Sequence, residues 1–183
     1  MITRLAIFDF DGTLFRSPQP PEWWERGGAW WRDVKSLHPP CVPPKPDAGW
    51  WNKNITAAAK KSASDPKTLT VLLTGRWAQE FEPRVRELVK QQGLRFDKVL
   101  LPASPGALAF KMGTLRQLLD TFPGIQMVDV YDDHAEHARS FQTLFSKHGV
   151  KVRINNVVYR PHEPACPTPL EHLIREARQS LLW

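Results

Sequence analysis

The stretch LAIFDFDGTLF, residues 5–15, places an apolar run directly before two closely spaced carboxylates and a glycine. The run over residues 5–10 predicts a buried strand, because continuous apolar residues of this length are typical of strands covered on both faces. Asp9 and Asp11 are two residues apart, so in an extended segment their like charges point to the same side and repel each other. A strand that ends in this way indicates a site where a positive group offsets the repulsion.

Further apolar runs predict four more strands, and segments of helical periodicity lie between them. The additional strands are predicted over residues 70–73, 98–101, 126–131 and 151–158. Helices are predicted over residues 81–92, 111–122, 135–148 and 170–182. Strands that alternate with helices predict an α/β fold, in which a parallel sheet carries helices on both faces as a Rossmann-like three-layer core.

Residues 16–67 differ in composition from the rest of the chain. Six of the eight tryptophans fall here, in doubled pairs, together with about half of the 17 prolines. No strand–helix unit fits this composition, and we expect a cap-like insertion over the carboxyl end of the first strand, where open α/β sheets bind ligands. The predicted organisation is one domain, with its core in residues 1–15 and 68–160, the insertion 16–67, and a C-terminal tail with a helix in 161–183.

Composition and charge narrow the class of protein. With 183 residues, 42% of them hydrophobic and 24% charged, the chain is predicted to fold as one domain rather than to be disordered. The net charge of +6 favours anionic partners. No apolar run approaches the ~20 residues that cross a bilayer, and the first run lacks the features of a signal peptide, so we expect a cytoplasmic protein without membrane contact. The two cysteines, Cys41 and Cys166, indicate neither a disulfide framework nor a zinc site, although one pairing between them stays open.

Polar groups suited to phosphate chemistry follow the predicted strands. The groups are Asp9 and Asp11 after the first strand, Thr74, Gly75 and Arg76 in LLTGR after the second, Lys111 at the predicted start of a helix, and Asp132 and Asp133 after the fourth. Because the carboxyl ends of parallel strands share one edge of a sheet, four carboxylates are expected to converge, and oxygen ligands of this kind suit Mg²⁺. A magnesium ion would supply the positive group that the first stretch requires.

The order of these motifs resembles the haloacid dehalogenase (HAD) superfamily of phosphotransferases. DFDGTLF, then LLTGR, an isolated lysine and a strand ending in YDD are together much more specific than any one of them. The resemblance implies that Asp9 is a nucleophile that becomes an aspartyl-phosphate and that Asp11 is a general acid and base. It also implies that Thr74 and Lys111 hold the phosphoryl oxygens. The implied metal ligands are Asp9, the backbone carbonyl of Asp11, Asp133 and Asp132.

A narrower resemblance includes the insertion. GGAWW, GWWN, GLRFDKVLL, FKMGTLRQLL and VYDDHAEHARSF, in that order, look like the phosphatase-type domain of Swiss-army-knife RNA repair proteins. The sequence departs from that pattern around Asp133, where an acidic residue and an arginine are expected and YDDHAEH stands instead. The departure makes Asp133 the safer ligand of the two neighbouring aspartates.

Several residues have two readings that the sequence leaves open. Arg76 either forms a local ion pair or contacts substrate. His134 and His137 are more often ordinary surface or packing residues than ligands. The doubled tryptophans either form the insertion's own core or stack on bases. If the doubled pairs are extended, neighbours point to opposite faces, so we expect Trp30 and Trp50 to contact substrate while most others pack.

Three functions are compatible with these patterns. The first is a Mg²⁺-dependent phosphatase that acts on a phosphorylated nucleotide or on the end of an RNA or DNA strand. The second applies the same chemistry to a small phosphorylated metabolite. The third is a module that binds phosphate or nucleic acid without turnover. The sequence leaves the oligomeric state open.

Overall fold

The computed structural model describes residues 1–25, 27–163 and 166–180 and contains one five-stranded sheet. The strands are β1 (Arg4–Phe8), β2 (Thr68–Leu73), β3 (Lys98–Leu100), β4 (Met127–Asp132) and β5 (Lys151–Asn156). Their order in the sheet is β3–β2–β1–β4–β5, and every neighbouring pair is parallel. The predicted α/β fold with a parallel sheet is therefore confirmed.

Five helices connect or follow these strands. They are α1 (Lys53–Ala63), α2 (Ala78–Gln91), α3 (Ala107–Thr121), α4 (Ala135–Lys147) and α5 (Pro169–Ser180). Helix α3 begins at Ala107, so Lys111 lies in its second turn and not at the start of a helix, as the sequence had suggested. Residues 181–182, which the sequence analysis assigned to the last helix, lie outside the described residues.

The sheet separates two apolar layers because neighbouring residues of a strand point to opposite faces. On one face, Ala6 and Phe8 of β1 pack in a cluster with α1 and α2. On the other face, Leu5 and Ile7 pack in a cluster with α3 and α4. Strand β1 is covered on both sides, which accounts for its continuous apolar sequence.

The segment between β1 and β2 contains a helix that the sequence analysis missed. Helix α1 (Lys53–Ala63) contacts both β1 and β2, so the expectation that no strand–helix unit fits residues 16–67 is wrong there. Its sequence, KNITAAAKKSA, is rich in strong helix formers but has few large apolar residues to mark a periodic face. Composition rather than periodicity was the available signal.

The rest of this segment, residues 16–52, contains short 3₁₀ helices at Gly27–Arg32, Val34–Ser36 and Ala48–Trp50, and its other described residues lie in turns and irregular chain. Leu37, Val42 and Trp50 belong to the same apolar cluster as β1 and α2. Trp30 lies in a second, small apolar cluster with Cys41 and Cys166, against which Trp23, Trp24 and Trp31 pack. A disulfide between Cys41 and Cys166 joins the segment to the C-terminal tail, which is the single pairing that the sequence had left open.

Candidate active site

A cleft of about 450 Å³ lies at the carboxyl end of the sheet. From β1 the chain adds β2 and β3 on one side of the sheet, and it then adds β4 and β5 on the other side of β1. The direction of strand addition therefore reverses between β1 and β4. Ligands of open α/β sheets bind at such a reversal. Asp9 follows β1 there, and its backbone N–H donates to the Tyr131 carbonyl of β4 at 2.9 Å. The sheet thereby brings Asp9 beside Asp132 and Asp133, as the sequence predicted.

A buried lysine links two of these carboxylates. Lys111 is only 1% exposed, and its Nζ donates to Asp9 Oδ1 at 2.8 Å and to Asp132 Oδ2 at 3.0 Å. His137 Nδ1 lies 3.4 Å from the same Nζ. A buried charge without a partner costs roughly several kcal/mol of folding free energy, so each of these charged groups stabilises the others. Lys111 is thus held by charge at the floor of the cleft.

The charges of this cluster shift the pKa values of its members. Burial raises the pKa of Asp9 to about 8, and Asp132 and Asp133 raise it as well, against the opposing effect of Lys111. Burial opposes the charge of Lys111, but Asp9 and Asp132 outweigh it and raise the lysine's pKa. Burial also acts to raise the pKa of Asp132, yet the hydrogen bond from His137 and the charge of Lys111 bring it down to about 2. The cluster therefore carries an excess of carboxylate around Asp9.

The oxygen atoms of this cluster fit a divalent cation. Ligand atoms of Asp9, Asp132, Asp133 and His134 lie within 4.8 Å of one another. Carboxylate oxygens are the ligands that Mg²⁺ prefers, and a dication would offset the repulsion among the three aspartates. Thr13 donates to Asp133 Oδ1 at 3.2 Å, and His134 Nδ1 lies 3.2 Å from the same oxygen. The hydrogen bond with Asp133 raises the pKa of His134 to about 9.

Asp11 has a different environment from Asp9. Arg76 binds its carboxylate with two donors, Nε to Oδ2 at 2.9 Å and Nη2 to Oδ1 at 2.7 Å. Ser17 donates to Oδ1 at 2.6 Å. Arg76 also donates to the Trp31 carbonyl and the Ser36 hydroxyl in the segment 16–52. Of the two readings of Arg76, the structure contains the local ion pair, and the side chain still lines the cleft.

Thr74 and Gly75, which precede Arg76 in the TGR motif, lie in different environments. Thr74 is fully buried, and its Oγ1 accepts the Arg76 backbone N–H at 3.2 Å, so in this structure it orders the loop. Gly75 lines the cleft. A Cβ at Gly75 would lie 2.8 Å from the Ala107 Cβ, which means that only glycine lets the loop approach the start of α3 so closely.

The tryptophans predicted to contact substrate are packed inside the protein. Trp30 is 0% exposed and donates its indole N–H to the Pro18 carbonyl at 2.9 Å. Trp50 is buried between Phe15 and His162, whose ring is stacked on it with 3.7 Å between centroids. Among the tryptophans that the structure describes, Trp31 is the one that lines the cleft. The prediction that Trp30 and Trp50 face the substrate therefore differs from the structure. Both residues lie in 3₁₀ turns and not in extended chain, so the two-residue alternation of extended chain does not decide which tryptophan is exposed.

Tyr159 is a side chain of the cleft that sequence reasoning missed. Tyr159 comes from the tail after β5, lines the cleft and donates its hydroxyl to the Ser17 carbonyl at 2.6 Å. Gly12, with φ +70°, lies against it, because a Cβ at Gly12 would be 2.7 Å from Tyr159 Cδ2 and 2.5 Å from Asp133 Oδ2. No local motif marks Tyr159 in the sequence, and only the order of the strands brings it here.

No helix in the described parts of the chain is both long and apolar enough to cross a membrane.

A known protein has a related sequence. The chain is 25% identical, over 198 aligned positions, to an uncharacterized protein of Saccharomyces cerevisiae, and the alignment covers 93% of this chain and 43% of the yeast protein. The chain thus spans less than half the length of that relative.

Two solved structures share the fold at low sequence identity. One is a chain of the Pnkp1/Rnl/Hen1 RNA repair complex, with a TM-score of 0.54 and 12% identity over 86% of this chain and 43% of that one. The other is the HAD domain of the effector protein Lem4 from Legionella pneumophila, with a TM-score of 0.52 and 10% identity over 97% of this chain and 95% of that one. These similarities confirm the HAD-like fold.

A family comparison covers most of the chain. Residues 11–170 match the family described as HAD domain family 1 in Swiss Army Knife RNA repair proteins. The match includes the loop with Asp11, the TGR motif, Lys111 and the YDD sequence. The chain therefore belongs to HAD domain family 1 of Swiss Army Knife RNA repair proteins.

Proposed function

We propose that this domain is a phosphomonoesterase that removes a terminal phosphate from a polynucleotide through an aspartyl-phosphate on Asp9. The observation that carries the proposal is the buried cluster at the floor of the cleft, where Asp9 lies between Lys111 and the aspartates after β4. A site built for structure alone would not crowd three carboxylates around one another.

In the proposed reaction, Asp9 attacks phosphorus and displaces the ester oxygen, which leaves with a proton from Asp11. Asp11 then takes a proton from a water molecule, whose oxygen attacks phosphorus and releases Asp9 and inorganic phosphate. Arg76 and Ser17 hold the Asp11 carboxylate in a fixed position, so proton transfer requires the substrate to approach that position. Asp11 enters the cycle protonated, and the proton taken from water restores that protonated carboxyl group at the end.

The remaining residues bind charge. Lys111 offsets the negative charge that develops on the phosphoryl oxygens, and the Gly75 loop, ordered by Thr74, lies against the same space. Asp9, the backbone carbonyl of Asp11, Asp132 and Asp133 would hold Mg²⁺. When bound, Mg²⁺ neutralises phosphoryl oxygens and reduces their repulsion of the nucleophile.

A nucleic-acid end is the proposed substrate because of three features. The family is that of RNA repair proteins, the chain carries a net charge of +6, and Trp31 lines the cleft with its ring beside Arg76 and Tyr159. A half-buried aromatic side chain next to a phosphate site can stack on the terminal base.

The test is phosphate release with and without Mg²⁺. The substrates are matched RNA and DNA oligonucleotides with a 3′ or 5′ phosphate, together with mononucleotides and sugar phosphates, and the Asp9→Asn protein is the blank. We expect Mg²⁺-dependent release that is fastest from one kind of oligonucleotide end. Turnover confined to small phosphates would replace the polynucleotide with a metabolite as substrate, and no turnover on any phosphate ester would contradict enzymatic function.

A further inference from the structure

A second cavity, of about 430 Å³, lies next to the cleft. One wall is the first turn of α1, and the other is the chain that follows β5. We call it the basic groove and define it by the residues whose side chains give it its character: Arg16, Lys53, Asn54, Asn156, Val158 and Arg160. None of these residues belongs to the acidic cluster around Asp9.

The basic groove and the cleft meet at one residue. Gly12 lines both cavities. Tyr159 lines the cleft and its neighbour Arg160 lines the groove, so the chain after β5 forms a wall shared by the two. Asp133 and Tyr159 pack directly against Gly12, so these three residues form the boundary between the two cavities. Because the two cavities share Gly12, a chain molecule whose end lies in the cleft would enter the groove by crossing this boundary.

Three cations line the groove, and no acidic residue does so among the lining residues that the structure describes. Arg16 is committed to structure, since its guanidinium donates to the carbonyls of Gly49, Arg160 and Pro161 at 3.0 to 3.1 Å. Lys53 and Arg160 are exposed, and neither forms an ion pair within residues 1–25, 27–163 and 166–180. The groove therefore offers two uncommitted positive charges on opposite walls.

The other lining residues suit nucleotides better than isolated phosphate ions. Asn54 and Asn156 are exposed amides that both donate and accept hydrogen bonds, as base edges and sugars do. Val158 is 71% exposed and adds apolar surface to the wall formed by the chain after β5. A positive groove with nearby aromatic side chains is the arrangement that binds single-stranded nucleic acid, and Trp31 and Tyr159 supply the aromatic side chains at the cleft.

We propose that the basic groove binds the backbone phosphates of the nucleotides that adjoin the terminal phosphate of a single strand, with Lys53 and Arg160 as the phosphate contacts. This inference rests on the proposed function, because it takes the terminal phosphate to lie in the cleft. It adds that the preferred substrate is a single-stranded polynucleotide several nucleotides long and not a mononucleotide, which cannot reach the groove.

The test measures equilibrium binding as a function of salt in the Asp9→Asn protein, so that the substrate is not consumed. The probes are single strands of about ten nucleotides with a terminal phosphate, as RNA and as DNA, and a matched mononucleotide. The variant is Lys53→Gln with Arg160→Gln. The matched control is Lys60→Gln with Lys61→Gln, which removes the same charge from exposed positions in the last turn of α1.

We expect the Lys53/Arg160 variant to bind the oligonucleotide roughly tenfold more weakly, with a salt slope that is shallower by about 1.4, because each lost phosphate contact on a single strand removes ~0.7 from the slope. Mononucleotide binding should be the same in the variant and the control. This result with either the RNA or the DNA oligonucleotide would support the proposal. An unchanged slope, an equal change in the control, or an equal loss of mononucleotide binding would overturn it.

Failure of the proposed function is separable from failure of this inference. Absence of phosphate release from every substrate would remove the enzymatic function, whereas the binding slopes do not depend on turnover. A steep slope that depends on Lys53 and Arg160 would then still establish the groove as a strand-binding surface.

Discussion

The edge of the sheet and the segment 16–52 both border the cleft, but they bury different kinds of side chain. At the sheet edge, Asp9, Lys111 and Asp132 are buried and satisfied mainly by one another's charge. In the segment 16–52, Trp30 and Trp50 are buried against other rings and a backbone carbonyl. Buried charge is costly unless paired, whereas buried aromatic surface is favourable without any further partner.

Whether a buried side chain is stabilised by paired charge or by apolar contact indicates a functional or a packing role more reliably than its residue type does. A cluster of carboxylates around one lysine has no advantage over apolar residues for stability, so its presence indicates chemistry. A tryptophan in a short segment rich in proline has a sufficient explanation in packing, since few other apolar residues are available to bury there. Substitutions at the sheet edge should therefore reduce activity more than stability. Substitutions of the buried tryptophans in the segment 16–52 should reduce stability more than activity.

The largest effect is expected for Asp9→Asn. The amide keeps the size of the carboxyl, and Lys111 keeps its second carboxylate partner, Asp132, so the fold should be retained while phosphate release falls by at least about 10³-fold. Phosphate release and the melting temperature measured on the same preparation check both parts. Asp120→Asn, on the exposed face of α3, is the matched control and should match the unmodified protein in both. Residual turnover above a hundredth of that of the unmodified protein would contradict the nucleophile assignment.

Removal of metal should have the next largest effect. After treatment with a chelator, added Mg²⁺ at about 100 times its dissociation constant should stabilise the fold by about 2.7 kcal/mol, because it binds the folded state only. Asp133→Asn removes one oxygen ligand and should abolish most of this increase in melting temperature. Asp120→Asn should retain it. An equal Mg²⁺ response in both variants would show that the ion binds outside the acidic cluster.

The sequence predicted the sheet edge well because its signals are local. A continuous apolar run followed by closely spaced aspartates places Asp9 at the end of β1, and a second run does the same for Asp132 and Asp133 at the end of β4. Parallel pairing then brings the two ends together without further information.

The contacts that the sequence did not predict depend on long-range geometry or on irregular backbone. Tyr159 reaches the cleft only because β5 pairs with β4, and the bidentate contact of Arg76 with Asp11 requires both loops to be in place. Trp30 and Trp31 lie in one 3₁₀ turn, where the two-residue alternation of extended chain does not apply. Which of the two faces the cleft is decided by the packing of the whole segment.

Alanine substitution of these two neighbours should separate packing from substrate contact. Trp30→Ala removes a fully buried ring and should reduce the free energy of unfolding by about 3–5 kcal/mol. Trp31→Ala should cost about 1 kcal/mol of stability, but it should weaken oligonucleotide binding by roughly 5- to 100-fold if the ring stacks on a base. Denaturant unfolding and binding to a phosphorylated single strand check the pair. Normal binding by Trp31→Ala would return this ring to a packing role.

The smallest expected effect concerns the ring that covers Trp50. Burial lowers the pKa of His162 below its ordinary value of 6.5, Arg16 lowers it further, and Asp47 acts in the opposite direction. As the pH falls through 6.5, the unfolded chain therefore takes up a proton at His162 before the folded chain does, and stability is lost. His162→Phe keeps an aromatic ring on Trp50 without this titration. The melting temperature of the unmodified protein should fall relative to that of His162→Phe between about pH 7.5 and 5.5 and run parallel to it at higher pH. Parallel curves across the whole range would mean that folding does not change the proton affinity of His162 and would contradict this prediction.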